Sequence, residues 1–373
     1  MRHIFVLLLA FLSLQVSAQF TTLSPMAEVS VLTCGKGNEL YSLYGHTAMR
    51  IHDPANGIDK VYNYGTFDFA TPNFGLKFVK GDLQYFVSTS TFDDFVYNYD
   101  DEKRSVFEQV LNLTQSQKQQ MFDRLNKVLI SQERFYTYKF IDRNCTTKIA
   151  DLVNEVVGPN TAKKVGNTDL TYREIIYPEF DGHFYEQWGT SMIFGTRVDE
   201  KASQLFLPIE LYQSISMAKN GNIALLKSNK SWLVFEDQPA PRSLWNNVYT
   251  YIAILLLLVF VNNDKFTLVY FTLISLLGLF FCVAGWYSFH TEVQWNYNVL
   301  LTNPLLLLVV IQYGRRKASG LYITSLLCLG CLGVYLIYML NKIHLLIVLP
   351  MIVAHAILLL KFALKVRRKK LFA

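Results

Sequence analysis

Five apolar stretches in the last third of the chain constrain its fold most. They cover about residues 246–261, 266–287, 297–313, 320–340 and 344–362. Each is near the roughly 20 residues that a helix needs to cross the hydrocarbon core of a bilayer, the first and third being the shortest. Backbone polar groups must be satisfied internally there, so these stretches read as helices of a membrane bundle. Residues before about 245 carry an ordinary mixture of polar and charged side chains. The 51% apolar content of the 373 residues is therefore an average over two unlike parts.

The basic residues give the bundle a direction. If the N-terminal part is exported, the inner segments are 262–265, 314–319 and 363–373. They hold Lys265; Arg315, Arg316 and Lys317; and Lys365, Arg367, Arg368, Lys369 and Lys370. The outer segments, 288–296 and 341–343, hold Lys342 alone, and nine against one is the bias that sets cytoplasmic loops. Trp245, Tyr249, Trp286, Tyr287, Trp295 and Tyr297 fall at the outer ends, as an aromatic belt does. The start of the chain agrees. Arg2 and His3 precede an apolar run over 4–14, then the small residues Val16-Ser17-Ala18, which together read as a secretory signal with Gln19 as the first mature residue. The expected organisation is a signal peptide over 1–18, an exported domain over 19–240 and a transmembrane domain of about five helices over 241–373. The net charge of +6 is concentrated in the basic tail, so it speaks for topology and against a nucleic-acid partner.

The exported part reads as α+β. Residues 28–33, 47–51, 60–64 and 83–88 alternate or run apolar with β-branched side chains, as strands do. Thr114 followed by Gln117 is a capping box for a helix to about Ile130. Asn144 or Asp142 caps a second helix from Cys145 to Val157, closed by Gly158-Pro159. A less regular stretch follows to about 230, and 237–242, with Pro239 and Pro241, forms the hinge into the membrane.

Two segments carry residues of chemical interest. His46 follows Gly45 at the start of a strand, and Cys145 opens a helix behind Arg143-Asn144. A helix N-terminus turns free N–H groups and partial positive charge toward such a thiol, which favours thiolate. A thiolate beside an imidazole is an activated nucleophile, and the same N–H groups can hold an oxyanion. The plainer alternatives are a satisfied polar histidine, a small packing cysteine, or a disulfide between Cys34 and Cys145. Asn63, His52 and Tyr62 are candidates to orient the imidazole, with Asn63 preferred. Tyr44 either donates to an oxyanion or packs. His290, Glu292, Asn296 and Asn298 form a polar outer loop that either faces the interface or meets the exported domain. His46, His52 and Asp53 do not make a compact ligand set along a strand, so neither a metal nor a cofactor is expected.

The order of histidine before cysteine, about a hundred residues apart, resembles the circularly permuted branch of papain-like thiol enzymes that includes the lecithin–retinol acyltransferases. A wider resemblance rests on Gly45-His46, on Val61 to Phe69 followed by Pro72-Asn73-Phe74, on Gly81-Asp82-Leu83-Gln84-Tyr85, on Arg143-Asn144-Cys145-Thr146-Thr147, on the loop from His290 to Asn298 and on Asn303-Pro304. Together these are similar to the Lnb-type membrane proteins of Bacteroidota, a family associated with lipoprotein N-acylation. The resemblance implies a permuted papain-like periplasmic domain on a bundle of about five helices, in a bacterial inner membrane, with a cytoplasmic C-terminus. It implies Cys145 as nucleophile, His46 as base, Asn63 as orienter, and Tyr44, Tyr62, Arg143 and His290 at the substrate or oxyanion. It also implies an acyltransferase with a phospholipid as acyl donor and a diacylglyceryl-modified lipoprotein as acceptor. A thiol peptidase or amidase acting on cell-wall peptides, or a membrane scaffold without catalysis, would fit the same residues.

Overall fold

The structure is a computed structural model and describes residues 21–236, 239–240, 242–261 and 263–368. The signal peptide over 1–18, Gln19, part of the hinge and the last basic residues lie outside them.

The N-terminal domain is built on one sheet. Its strands are β1 (Glu28–Cys34), β2 (His46–Asp53), β3 (Ile58–Thr66), β4 (Gln84–Thr91), β5 (Val106–Leu111) and β6 (Phe135–Thr137). A small hairpin of β7 (Lys219–Asn220) and β8 (Ile223–Ala224) stands apart, and β9 (Leu226–Leu233) closes the sheet. The order is β6-β4-β3-β2-β1-β5-β9, with every neighbouring pair antiparallel. The four expected strands are present. The stretch expected to be irregular instead contributes β9 and three helices, Tyr172–Ile176, Phe184–Ile193 and Pro208–Met217.

Both faces of this sheet are covered, which explains its near-continuous apolar strands. Val29, Val31, Met49, Ile51, Tyr62, Tyr64 and Val87 pack with helices Gln115–Ile130 and Cys145–Val157. Leu32, Cys34, Ala48, Val61 and Val106 pack with Phe92 and Phe95 of helix Phe92–Asp101. Arg50 is buried on that second face. It bonds Glu108 at 3.1 Å and Asp59 at 2.7 Å, and its guanidinium lies 3.4 Å from the Phe92 ring centroid. The two helices on the first face begin where their caps dictate. Thr114 and Gln117 exchange capping bonds, and so do Asn144 and Thr147.

The C-terminal part is helical, but its lengths differ from expectation. Asp264–Tyr287, Ala318–Met339 and Leu345–Arg367 are long and apolar enough to cross a membrane. The other two expected spans are the helices Val248–Phe260, of 13 residues, and Leu306–Gly314, of 9. At about 1.5 Å per residue neither reaches the roughly 30 Å of a hydrocarbon core. The third apolar stretch is broken for a local reason. Pro304 lacks an N–H and clashes with a preceding turn, so residues 297–300 form a short 3-10 turn and the α-helix starts only after the proline.

The two parts are not merely strung together. Helix Phe184–Ile193 belongs to the N-terminal part by sequence, yet Met192 is buried in the bundle core and Phe184, Tyr185, Trp188 and Ile193 pack against it. A polar seam runs beside it. Arg173 donates to Asp199 at 2.7 Å and to the Tyr297 hydroxyl at 3.0 Å, and Tyr297 donates to Asp199 at 2.8 Å. Lys342 lies 3.5 Å from Asp199, and Asn298 donates to the carbonyls of Ser191 and Met192. Gly195 is needed by this close approach, since a Cβ there would sit 1.8 Å from the Gln294 carbonyl oxygen.

Candidate active site

The β1–β2 connection delivers His46. Gly45, at φ +78°, turns the chain into β2, and a Cβ at that position would fall 2.4 Å from the Cys34 carbonyl oxygen. His46 is therefore the first residue of β2, directly opposite Cys34 of β1. On its other side β2 pairs with β3, where Asn63 stands opposite Ala48. Asn63 is thus the diagonal neighbour of His46 on the same face, within reach of an aromatic ring. Its Oδ1 lies 3.4 Å from His46 Nε2. The other two candidates for that place are engaged elsewhere: His52 pairs with Asp59 at 3.3 Å, and the Tyr62 hydroxyl donates to Asn126 at 3.0 Å in the opposite core.

Cys145 comes from the other direction, at the first turn of its helix. Asn144 fixes that turn. Its Oδ1 accepts from the Thr147 N–H at 2.9 Å, and its amide donates to the Phe140 and Phe206 carbonyls at 2.7 and 2.8 Å. Such a cap stabilises a helix by about 1 kcal/mol, and here it also decides which residue occupies the helix end. Thr146 is stitched to the sheet through the Thr47 hydroxyl at 3.1 Å. The half-buried thiol meets His46 and the Thr47 N–H. Burial pushes the Cys145 thiol up. The charge of His46, its hydrogen bond, the Thr47 N–H and the Thr146 hydroxyl together outweigh that and hold it below an ordinary thiol. With Nε2 turned to Asn63, Nδ1 is the ring nitrogen left for the thiol. The Asn144 cap takes the Thr147 N–H, which leaves those of Cys145 and Thr146, ahead of the first intrahelical bond, to receive a developing oxyanion.

Cys34 differs from Cys145 although it neighbours His46. It is buried under helix Phe92–Asp101, and that burial pushes its thiol up to about 12. Both cysteines are free, so no disulfide joins them.

The remaining sequence candidates scatter. Tyr44 packs on Phe140 and Phe180, with ring centroids 5.0 and 5.9 Å away. Tyr62 is fully buried. Arg143 is exposed and lies over the Tyr136 ring. His290 bonds the Phe78 carbonyl at 2.9 Å. Its loop nevertheless meets the segment that carries the thiol. Glu292, 1% exposed, accepts from the Ile141 N–H at 3.1 Å, and its own carbonyl accepts from Gly195. The Thr291 hydroxyl donates to Asp142 at 3.3 Å. A bundle loop thereby grips residues 141–142, just before the Asn144 cap. The sequence does not single out Thr47 or Thr146 as site residues, because only the packing of helix on strand brings their hydroxyls together.

The fold and site define a mixed helix–sheet domain with a thiol–imidazole pair, gripped by the outer loop of apolar membrane helices. Residues 17–177 match the family model of the Lnb N-terminal periplasmic domain. Through that domain the chain is similar to the Lnb-type family, and with its apolar helices it fits a membrane protein with a periplasmic N-terminal domain. No curated protein and no solved structure matches the chain.

The state of the thiol is directly testable. Thiolate is the form that alkylates, so a lowered pKa keeps Cys145 reactive as pH falls. The iodoacetamide rate at Cys145, resolved by peptide mass spectrometry, is expected to have its midpoint below 9.0, the ordinary value. His46→Ala should move the midpoint above that of the wild type, since burial then acts with less opposition, and Asn63→Ala should move it less. An unchanged midpoint in His46→Ala would remove the imidazole from the site.

Proposed function

We propose that the protein is a membrane-bound acyltransferase that moves an acyl chain from a phospholipid, through a thioester on Cys145, to the N-terminal amine of a diacylglyceryl-modified lipoprotein cysteine. The observation that supports it best is a lowered thiol paired with His46, in a domain held against membrane helices by Glu292 and the Arg173 seam. Donor and acceptor both reside in the outer leaflet, so anchoring raises their effective concentration at the site. In this reading the N-terminal domain is of the permuted papain-like kind. The two shorter apolar helices, lengthened by the irregular turns that flank them, complete a five-pass bundle in the inner membrane, with the C-terminus cytoplasmic.

His46 takes the Cys145 proton, and the sulfur attacks the ester carbonyl carbon. The helix N–H groups hold the oxyanion. The ester C–O bond breaks, and His46 returns the proton to the departing lysophospholipid alcohol. The lipoprotein amine then attacks the thioester, gives a proton to His46, and the C–S bond breaks to leave an amide and the thiol. No cofactor enters this sequence. The test is reconstitution of the full chain in phospholipid vesicles with a diacylglyceryl-cysteinyl peptide. Mass spectrometry should show the peptide gaining one acyl chain. A peptide that stays diacylated, with the wild-type site folded and alkylatable, would overturn the proposal. Hydrolysis of a cell-wall peptide instead would make the protein a thiol amidase.

A further inference from the structure

The N-terminal domain exposes an unusual aromatic surface. Phe67, Phe69, Phe74 and Phe78 follow one another with ring centroids 4.8 to 6.3 Å apart, from the end of β3 through helix Phe74–Lys80. Phe69 is 69% exposed and Leu76 is 74% exposed. Single exposed apolar residues are ordinary, but a contiguous apolar patch marks a contact surface.

Its position names the partner. The Lys80 carbonyl at the end of that helix accepts from the Phe289 N–H at 2.8 Å, and the Ser288 hydroxyl donates to the Val79 carbonyl at 2.9 Å. Residues 288 and 289 directly follow the span Asp264–Tyr287. The patch is therefore tied to the outer end of a membrane helix and continues its exposed apolar side through Trp286 and Phe289. Lys77 and Lys80 lie in the last turn of the patch helix, where basic side chains suit anionic headgroups.

The row does not stop at the surface. Phe67 lies 5.3 Å from Tyr85, and Tyr85 stacks on Tyr138 at 4.6 Å. A Cβ on Gly65 would lie 3.8 Å from both the Tyr138 ring and Cys145 Cβ, so ring and thiol flank one glycine. Tyr85, Tyr138 and Cys145 are all partly buried against the same core. We propose that the helix Phe74–Lys80 and the loop before it sit in the outer leaflet, and that the row Phe74, Phe67, Tyr85, Tyr138 is the subsite along which one acyl chain of a phospholipid reaches Cys145. This rests on Cys145 being the residue that is acylated.

Photo-crosslinking in vesicles tests it without requiring turnover. Full-length Cys145→Ser protein is reconstituted with a phosphatidyl lipid that carries a diazirine in one acyl chain, irradiated, and mapped by peptide mass spectrometry. Adducts are expected on residues 67–78 and on Tyr85 or Tyr138, beside those on the spanning helices. Adding Leu76→Glu and Phe78→Glu, both at exposed positions, should lower the Tyr85 and Tyr138 adducts by about fivefold or more while span adducts persist. Adducts confined to the spanning helices, or Tyr85 and Tyr138 adducts that ignore the two glutamates, overturn the subsite. A wild-type Cys145 that never forms a thioester, with the adduct map intact, would instead end the acyltransferase reading.

Discussion

Cys145→Ser is expected to abolish the thioester and the acylated peptide together, with transfer falling by roughly a thousandfold or more, because a serine hydroxyl at this helix end is not ionised by a neighbouring imidazole. The fold should survive. The two side chains are similar in size, the thiol is only half buried, and the cap that holds the helix is Asn144. His46→Ala should fall nearly as far. The double variant should be no worse than the poorer single one, since two groups acting as a unit lose their joint effect once. The measurement is acyl transfer to a diacylglyceryl peptide in vesicles, with intact-protein mass spectrometry for the adduct. A Cys145→Ser protein that keeps even a tenth of wild-type transfer would place the nucleophile elsewhere.

The second large effect concerns the seam. Arg173 is 4% exposed and faces Asp199, the Tyr297 hydroxyl and the carbonyls of Phe194 and Gly195. Arg173→Ala is expected to destabilise the junction by on the order of 3–5 kcal/mol, the cost of stranding one member of a buried ion pair. Lys342, 3.5 Å from Asp199, offsets part of this. The same pocket holds His344, whose Nε2 lies 3.2 Å from the Tyr297 hydroxyl. The expected result is a lower thermal midpoint in detergent and new proteolysis between residues 194 and 200. Arg173→Lys should recover only part of the loss, since an ammonium cannot span Asp199, a hydroxyl and two carbonyls at once. If Arg173→Ala melts with the wild type, the seam is not what holds the domain to the bundle.

The glutamate on the bundle loop gives that seam a consequence for the site. Glu292 grips the Ile141 N–H three residues before the cap of the thiol helix. The junction is therefore joined to the Cys145 helix through a short covalent path.

Much of this was legible in the chain. Hydropathy is a local, additive property, so it located the apolar helices. Capping is local too: Thr114 with Gln117 and Asn144 with Thr147 start their helices where four residues of sequence say they must. The position of Cys145 at a helix end followed from that. The short edge strand β6, the returning strand β9 and the helix Phe184–Ile193 were not legible, because their partners lie far away in sequence and supply the burial that their own pattern lacks. The span lengths also changed, since Pro304 breaks a stretch whose average apolarity looks uninterrupted.

The sequence favours Asn63 beside His46 but leaves His52 and Tyr62 open. Asn63, His52 and Tyr62 lie in or beside the same strand pair, and strand register alone puts the amide at the ring and turns the tyrosine into the opposite core. Nor could one dimension reveal that Glu292, beyond a membrane helix, bonds the segment ahead of the thiol, or that an aromatic row connects the outer end of a span to Cys145. By itself the sequence determined which residues are apolar, where helices start and which part faces outward, because these depend on near neighbours. The tertiary structure decided which side chains meet, because a hydrogen bond at 3.4 Å or a ring stack at 4.6 Å is set by the packing of elements that the chain joins only through long detours.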